Sequence, residues 1–322
     1  STGLSGFWII FSITIFSGLM GVPGMILGVP IFAVFYALIK RYVNRSLQKK
    51  GMSDKTEEYQ TLDYVDVQTG SFISKPEDKP ARHRTKQFSF RNFKEDLKKI
   101  NIELTNEAFL NFEEYYKFLV EYNEHVNLTA ITDYDGVYYK HFYDSLTLSL
   151  ALDVTKPINL VDVGAGAGFP SIPNAIVFNN LNVTIIDALN KRINFLNELI
   201  AKLKLNNAKA LHARAEEYAA FHREEADVVT ARAVARLNIL AELCIPLVKV
   251  GGLFVAMKSV ESEQEFLEAK GAIKTLGAEH LKTISVELPN QMGHREILVF
   301  KKVNKTPSKY PRQFSQIKNK PL

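Results

Sequence analysis

The sequence predicts an α/β protein built on a parallel sheet. From residue 158 onward, short β-branched apolar runs alternate with segments of helical periodicity, which is typical of parallel strands covered by helices on both faces. The first strand, 158–163, runs into Gly164, Gly166 and Gly168, and glycines at alternate positions let the backbone turn sharply and approach a ligand closely. The next strand ends at Asp187, where an acid binds ribose hydroxyls in nucleotide-binding α/β folds. Together these features predict a site for a nucleoside-containing ligand.

The elements follow in order along the chain. Strands are predicted over 158–163, 183–187, 208–212, 227–231, 252–257, 283–288 and 296–301, and helices over 172–178, 191–203, 238–248 and 261–276. The last two strands lack an intervening helix, so a closing antiparallel hairpin is expected. Helical spacing over 93–100, 105–123 and 133–150 predicts an N-terminal helical extension of the sheet domain.

Bulk composition is that of a folded protein with more than one domain. The 322 residues are 46% apolar and 23% charged, with a net charge of +5 that permits a nucleic-acid partner. The single cysteine, Cys244, excludes an intrachain disulfide and fits a reducing compartment, and no metal site is predicted. We expect a membrane remnant at 1–45, a polar linker at 46–92, a helical part at 93–150, an α/β domain at 151–305 and a basic tail at 306–322.

The N-terminal segment predicts contact with a membrane. Residues 7–39 contain no Asp, Glu, Lys or Arg, and this length exceeds the ~20 residues that span a bilayer. Interrupting glycines and prolines suggest one broken transmembrane helix, or a re-entrant piece followed by a span; the alternative is a buried core hairpin. Lysines and arginines follow at once, which predicts a cytoplasmic location for the rest of the chain. The polar stretch 46–92 predicts a mostly disordered linker.

The pattern G-x-x-G-x-x-G-M-x-L-x-V-P in this segment resembles the C-terminal end of the autoinducer-2 exporter family of membrane proteins. The resemblance covers only about the first 45 residues. Because the other helices of a transport pathway are absent from the chain, we predict no transport.

The glycine loop discriminates between nucleoside cofactors. A dinucleotide fingerprint requires G-x-G-x-x-G, and the third glycine position is occupied by Phe169 or Ser171 in the two possible registers. NAD is therefore disfavoured. The pattern D-x-G-x-G-x-G over 162–168, with a downstream acid, instead resembles the first motif of Rossmann-like class I S-adenosylmethionine-dependent methyltransferases. The alternative is a loop that serves only as a strand–helix turn.

Several further stretches carry a more specific resemblance. They are NLTAI (127–131), HFYDSL (141–146), DVGAGAGFPSIP (162–173), DALNKRINFL (187–196), HARAEE (212–217), TARAVARL (230–237), GGLFVAMK (251–258) and KYPR (309–312). Together they resemble the GidB/RsmG family of 16S ribosomal RNA methyltransferases, which modify guanine N7. The resemblance runs from Phe93 to the end of the chain, so the whole reads as a fusion of a transporter remnant with a methyltransferase.

The family resemblance implies a set of site residues. The residues expected to bind S-adenosylmethionine are Gly164, Phe169, Asp187, Ala215, Glu216 and Arg232, with Asp187 on the ribose. Candidates for RNA phosphate contact are Arg192, Lys258, Lys309 and Arg312, and His141 and Asp144 are expected to border the pocket. From spacing alone, His141 and Asp144 instead favour a polar helix surface or a satisfied buried pair, and Arg232 an ion pair with an acid such as Asp162 or Asp187. Guanine N7 has a free lone pair and no proton to lose, so no catalytic base is predicted.

The predicted partner is 16S ribosomal RNA or the small ribosomal subunit, bound by a monomeric, cytoplasmic methyltransferase domain with a possible membrane tether through residues 7–39. The tail from residue 301 carries lysines, arginines, Tyr310 and Phe314 but no acid, which suits either RNA contact or a disordered solubilising tail. Two other functions stay open: an NAD-dependent oxidoreductase, and a non-catalytic membrane-anchored RNA-binding or scaffold protein.

Overall fold

A computed structural model describes residues 6–49, 62–65, 72–74, 89–258 and 262–322 of the chain. These residues fall into two compact units, Ser1–Thr85 and Lys86–Leu322. The second unit contains the glycine loop and all the predicted site residues.

The first unit consists of a helical segment and a small strand pair. Helix α1 (Gly6–Lys49) is broken at Gly21, whose φ of 62° and ψ of −141° are not helical. The two halves fold back on each other at this break. The rings of Phe11 and Phe32, one from each half, lie 5.9 Å apart in a T-shaped contact. Strands β1 (Leu62–Val65) and β2 (Phe72–Ser74) pair antiparallel.

Helix α1 covers the stretch predicted as a membrane segment, 7–39. Among the described parts of the chain, no helix combines the length and the apolar character that crossing a membrane requires. The uncharged stretch is divided at Gly21 into two shorter helices that pack together. Of the linker predicted to be mostly disordered, 46–92, the structure describes the end of α1, the two strands and residues from 89 onward, and the rest lies outside the described residues.

The second unit is organised around a seven-stranded mixed sheet with the order β5-β4-β3-β6-β7-β9-β8. Strands β3 to β7 run parallel, and β9 pairs antiparallel with both β7 and β8, so the closing hairpin is confirmed. The strands are β3 (Ile158–Val163), β4 (Leu181–Asp187), β5 (Ala208–His212), β6 (Ala226–Arg232), β7 (Val248–Lys258), β8 (Ala278–Glu287) and β9 (His294–Lys302).

Helices cover both faces of the sheet. They are α2 (Phe90–Lys98), α3 (Asn106–Asn123), α4 (Tyr134–Gly136), α5 (Asp144–Leu146), α6 (Ser171–Val177), α7 (Asn190–Lys202), α8 (Ala215–Tyr218), α9 (Leu237–Cys244), α10 (Ser262–Thr275) and α11 (Phe314–Asn319). Elements α2 to α7 share one hydrophobic core with the sheet, and α8 to α11 share the other. Along β3 the side chains alternate accordingly, with Leu160 in the first core and Val161 in the second.

The helical extension caps one face with aromatic side chains. Between α4 and α5, residues Val137–Tyr143 form a π-helix, a rare element often found at functional sites. Phe93, Phe112, Tyr138 and Phe142 are fully buried there, with ring centroids between 4.8 and 6.5 Å apart in successive contacts. This packing fixes the π-helix that carries His141 against the sheet.

The strand register aligns the carboxyl ends of three strands. Asp162 of β3 lies opposite Ile185 of β4 and Thr230 of β6. The chain order reverses between β3 and β6, and in open α/β sheets ligands bind in the crevice at that point. The loops after β3, β4 and β6 therefore meet at one edge of the sheet.

Candidate functional site

A cavity of ≈ 510 Å³ opens at the carboxyl edge of the sheet. Its volume lies in the range of small-molecule and cofactor sites. Its walls include every residue predicted to bind a cofactor: Gly164, Phe169, Asp187, Ala215, Glu216 and Arg232. We call it the first cavity.

The glycine loop forms the floor of the first cavity in a conformation that favours glycine. Gly164, Gly166 and Gly168 have φ values of 75°, 61° and 98°. At Gly168 an added Cβ would lie 2.8 Å from both Ile172 Cγ1 and Tyr115 Oη, which leaves no room for a side chain. At Gly166 it would meet no atom within 4 Å, so the backbone there is open to a ligand. The chain thus supplies a bare backbone surface for close approach.

Asp187 stands at the tip of β4 with 4% of its surface exposed. Its Oδ1 accepts a hydrogen bond from the Leu189 amide at 2.9 Å, and its Oδ2 accepts one from Arg192 Nη1 at 3.2 Å. A carboxylate oxygen accepts two hydrogen bonds, so each keeps a site for a further donor. The two contacts fix the carboxylate toward the cavity, where ribose hydroxyls would meet it.

Beneath the glycine loop lies a buried carboxyl group. Asp162 is fully buried and accepts a hydrogen bond from the Ser171 hydroxyl. Burial raises the pKa of Asp162 to about 7, although the Ser171 hydrogen bond and the Arg232 charge act in the opposite direction. The group supports the loop from below and is not among the residues that line the cavity.

Phe169 organises one end of the first cavity. The His141 ring stacks on it with centroids 4.5 Å apart, and the Arg232 guanidinium lies 5.0 Å from its centroid. Burial lowers the pKa of His141 to about 3, with a further lowering from the Arg232 charge, so the imidazole is neutral at physiological pH. Its Nε2 lies 2.8 Å from the Thr129 hydroxyl.

A second cavity of ≈ 350 Å³ adjoins this end, and His141, Arg232 and Ala233 line both. In its wall Asp144 accepts hydrogen bonds from Arg232 Nη1 at 2.9 Å and pairs with Arg295 Nε at 3.2 Å. Asp144 is 3% exposed, and its Oδ1 has no hydrogen-bond partner among the described residues. Arg232 therefore pairs with Asp144, and not with Asp162 or Asp187 as the sequence suggested.

The four candidates for RNA contact lie in different parts of the domain. Arg192 lies in the wall of the first cavity beside Asp187, and Lys258 lies in the second cavity, where its Nζ donates to Glu265 at 2.6 Å. Arg312 Nε and Nη2 donate to Glu242, which is fully buried, at 2.8 and 2.6 Å. Lys309 is exposed, 5.2 Å from the Tyr310 ring.

The C-terminal tail is packed against the α/β domain, so the disordered-tail alternative is wrong. Ile317 of α11 is fully buried in the second hydrophobic core. Phe314 reaches the wall of the first cavity, as do Leu128, Thr129 and Val234, none of which the sequence reasoning had placed in the site. Leu128 and Thr129 belong to the NLTAI stretch, whose family resemblance could have indicated a place in the site. For Phe314 the only indication was the presence of aromatic residues in a basic tail.

The part of the chain that the structure describes holds no group of three or more His, Cys, Asp or Glu side chains suited to a metal ion.

The fold and cavities define an α/β domain that binds a nucleoside-containing cofactor at the switch point of its sheet. The family GidB, described as rRNA small subunit methyltransferase G, matches residues 109–296. The "Ribosomal RNA small subunit methyltransferase G" of Staphylococcus aureus (strain Newman) is 53% identical over 220 residues, which cover 68% of this chain and 92% of the relative, and that of strain JH9 gives the same figures. This protein belongs to the GidB family.

Among solved structures, similarity is found to a SAM-dependent methyltransferase from Aquifex aeolicus, with a TM-score of 0.42, 16% identity, and coverage of 53% of this chain and 94% of that one. The family membership rests on the two sequence matches. Neither match supports the resemblance of the first 45 residues to the autoinducer-2 exporter family.

Proposed function

We propose that this protein transfers a methyl group from S-adenosylmethionine to N7 of a guanine in 16S ribosomal RNA of the small subunit. The observation that carries the proposal is the meeting, in one cavity, of the open glycine backbone, the buried acid Asp187 and Arg232. The family membership supplies the class of substrate. The family membership does not favour an NAD-dependent oxidoreductase or a non-catalytic scaffold.

We assign the parts of the first cavity by their chemistry. Asp187 accepts from the ribose hydroxyls with the acceptor sites that Leu189 and Arg192 leave free. Ala215 and Glu216, after β5, border the adenine. Gly164 and the loop backbone lie along the methionine portion, which points toward Phe169 and Arg232 because the second cavity begins there.

The target guanine enters the second cavity in this proposal. S-adenosylmethionine supplies a methyl group on a positively charged sulfur, and N7 of guanine can accept it without losing a proton. The chain therefore needs no general base, and its contribution is alignment and a fixed electrostatic environment. Asp144, held between Arg232 and Arg295, provides a negative charge in the second cavity where positive charge develops on the base.

The proposed RNA contact differs among the four basic candidates. Lys309 is exposed and can meet a phosphate directly. Arg192 positions Asp187, Lys258 lies at the entry of the second cavity on Glu265, and Arg312 anchors the tail through Glu242. We further propose that the methyltransferase domain acts as a monomer, and a ribosomal RNA substrate implies that it works in the cytoplasm.

Incubation of the protein with methyl-labelled S-adenosylmethionine tests this function. The acceptors are naked 16S RNA and small subunits from a strain that lacks the family's enzyme. We expect label in one of the two, with the modified guanine revealed by borohydride and aniline cleavage, which is specific for N7-methylguanosine. A matched RNA in which 7-deazaguanosine replaces guanosine removes the acceptor atom alone, so it should take no label. Label that persists in the 7-deaza RNA, or no label in either natural acceptor, would refute the proposal.

A further inference from the structure

The C-terminal segment, residues 303–322, is held to the α/β domain by buried ionic contacts. Arg312 forms a two-pronged pair with the fully buried Glu242 of α9. Arg223 donates hydrogen bonds to the carbonyl oxygens of Thr306, at 2.6 Å, and Tyr310. Bidentate arginine pairs and arginine bonds to backbone carbonyls fix both position and orientation. The segment is thus a defined part of the domain and not a loose extension.

This anchoring delivers Phe314 to the first cavity. Phe314 begins α11, which is fixed by the fully buried Ile317, and its half-buried ring lines the cavity wall. The guanidinium of Arg214, in the loop after β5, lies 5.2 Å from the centre of this ring. Arg214 is itself oriented by Glu216, whose Oε1 accepts from its Nε at 2.8 Å. The Arg214 guanidinium therefore lies over the Phe314 ring, and both side chains belong to the wall of the first cavity.

The position of this pair in the cavity identifies the part of the cofactor that it meets. The reactive end must adjoin the second cavity, through His141 and Arg232, because the acceptor base reaches the methyl group there. Asp187 marks the ribose at the end of β4, and β5 is the next strand outward. Arg214 follows β5, which lies on the far side of β4 from β6 and its Arg232, and Phe314 contacts Arg214. Both side chains therefore lie at the end remote from the reaction, where the adenine belongs.

We propose that Phe314, presented by the C-terminal segment and supported by Arg214, forms the platform on which the adenine of the cofactor packs. This inference rests on the proposed function, since it takes S-adenosylmethionine as the ligand. Purine rings pack well on aromatic side chains and guanidinium planes, and this stacking requires the flat face of the aromatic ring. The basic tail, which the sequence related to RNA, then serves the cofactor site.

The test is calorimetric titration of the full chain with S-adenosylmethionine and S-adenosylhomocysteine, without RNA. Phe314→Ala and Phe314→Leu should both raise Kd for both ligands by roughly 5- to 150-fold, the range of base–aromatic stacking. Phe314→Tyr keeps the ring and should stay within about twofold of the wild type. Phe221→Ala is the matched control, because Phe221 is an 82% exposed aromatic that does not line the cavity, and it should leave Kd unchanged.

The melting temperatures of the unliganded variants separate packing from ligand contact. Leu at position 314 keeps apolar volume against the second core, so an unchanged melting temperature with a raised Kd supports the platform. If Phe314→Leu bound both ligands as tightly as the wild type, the aromatic platform would be refuted and apolar contact would suffice. A wild-type protein that binds neither ligand would overturn the proposed function itself, which is a different result.

Discussion

Replacing Asp187 by alanine tests the placement of the cofactor most directly. The carboxylate is 4% exposed and stands at the tip of β4, with one acceptor site on each oxygen already filled by Leu189 and Arg192. The remaining sites face the first cavity. Removing the side chain eliminates at least one charge-assisted hydrogen bond to the ribose, which is worth about 1.5–3 kcal/mol. We therefore expect Kd for S-adenosylmethionine to rise roughly 10- to 150-fold.

Isothermal titration of the full chain measures this change. Asp187→Asn should fall between the wild type and the alanine variant, because the amide keeps one acceptor oxygen but loses the charge. The matched control is Asp227→Asn, in which an aspartate paired with Lys249 at the opposite end of a strand is altered without touching the cavity. An Asp187→Ala protein that binds S-adenosylmethionine as tightly as the wild type would refute the ribose assignment.

Other consequences concern stability. Arg312→Ala leaves the fully buried Glu242 without its cationic partner and should lower the free energy of unfolding, measured in urea, by about 3–5 kcal/mol. If Arg312 were only a surface residue, the free energy of unfolding would change by less than about 0.5 kcal/mol. Gly168→Ala places a Cβ at φ 98° against neighbouring atoms and should cost about 1–3 kcal/mol from backbone strain alone, whereas the helical control Gly271→Ala, with open space at its Cβ, should stabilise by about 0.5–1 kcal/mol. The pKa of His141 is about 3 in the folded protein and near 6.5 in the unfolded chain, so its contribution to stability is present above pH 6.5 and is lost as the pH falls toward 3. The free energy of unfolding should therefore decrease less between pH 6.5 and pH 3 in His141→Gln than in the wild type. An equal decrease in both proteins would contradict the buried neutral state.

The alternation of strands and helices was predictable because it depends on local patterns. Six of the apolar runs lie within a strand of the sheet, and the seventh, 283–288, extends one residue past the end of β8. The parallel order placed Gly164, Asp187 and Arg232 at one edge, so their convergence followed from topology. These features need only residues near one another in sequence and one general rule of sheet geometry.

Pairings between distant residues could not be read from the sequence. The acids Asp162 and Asp187 lie on the strands β3 and β4, at the same sheet edge as Arg232, so the sequence favoured them as its partners. The packing of the π-helix instead brings Asp144 to Arg232. The family resemblance made Arg312 a candidate for phosphate contact, and no local pattern indicated that Glu242 would pair with it. Helical periodicity predicts which residues share one face of a helix, but it does not predict which charged side chain on another element will pair with them.

The N-terminal segment raises a related question. An uncharged run longer than a bilayer span is compatible with one long helix or with two shorter helices that fold back on each other, and here the helix breaks at Gly21. The positive φ that allows the fold-back is available to glycine without strain, and the sequence contains several glycines where such a break could occur.

The charges around the junction of the two cavities form a consistent arrangement for methyl transfer. The cofactor brings a positive sulfur, so an additional cation beside it would weaken binding. His141 stays neutral through burial, and Asp144 offsets part of the positive charge of Arg232 and Arg295 on the side of the second cavity. As positive charge moves from sulfur to guanine, it moves toward Asp144, whose unpartnered Oδ1 has acceptor capacity to spare among the described groups. If the guanine enters the second cavity as we propose, the same carboxylate offsets part of the charge of the two arginines before the reaction and lies near the charged base after it, which gives a buried acid a role at a site that needs no base.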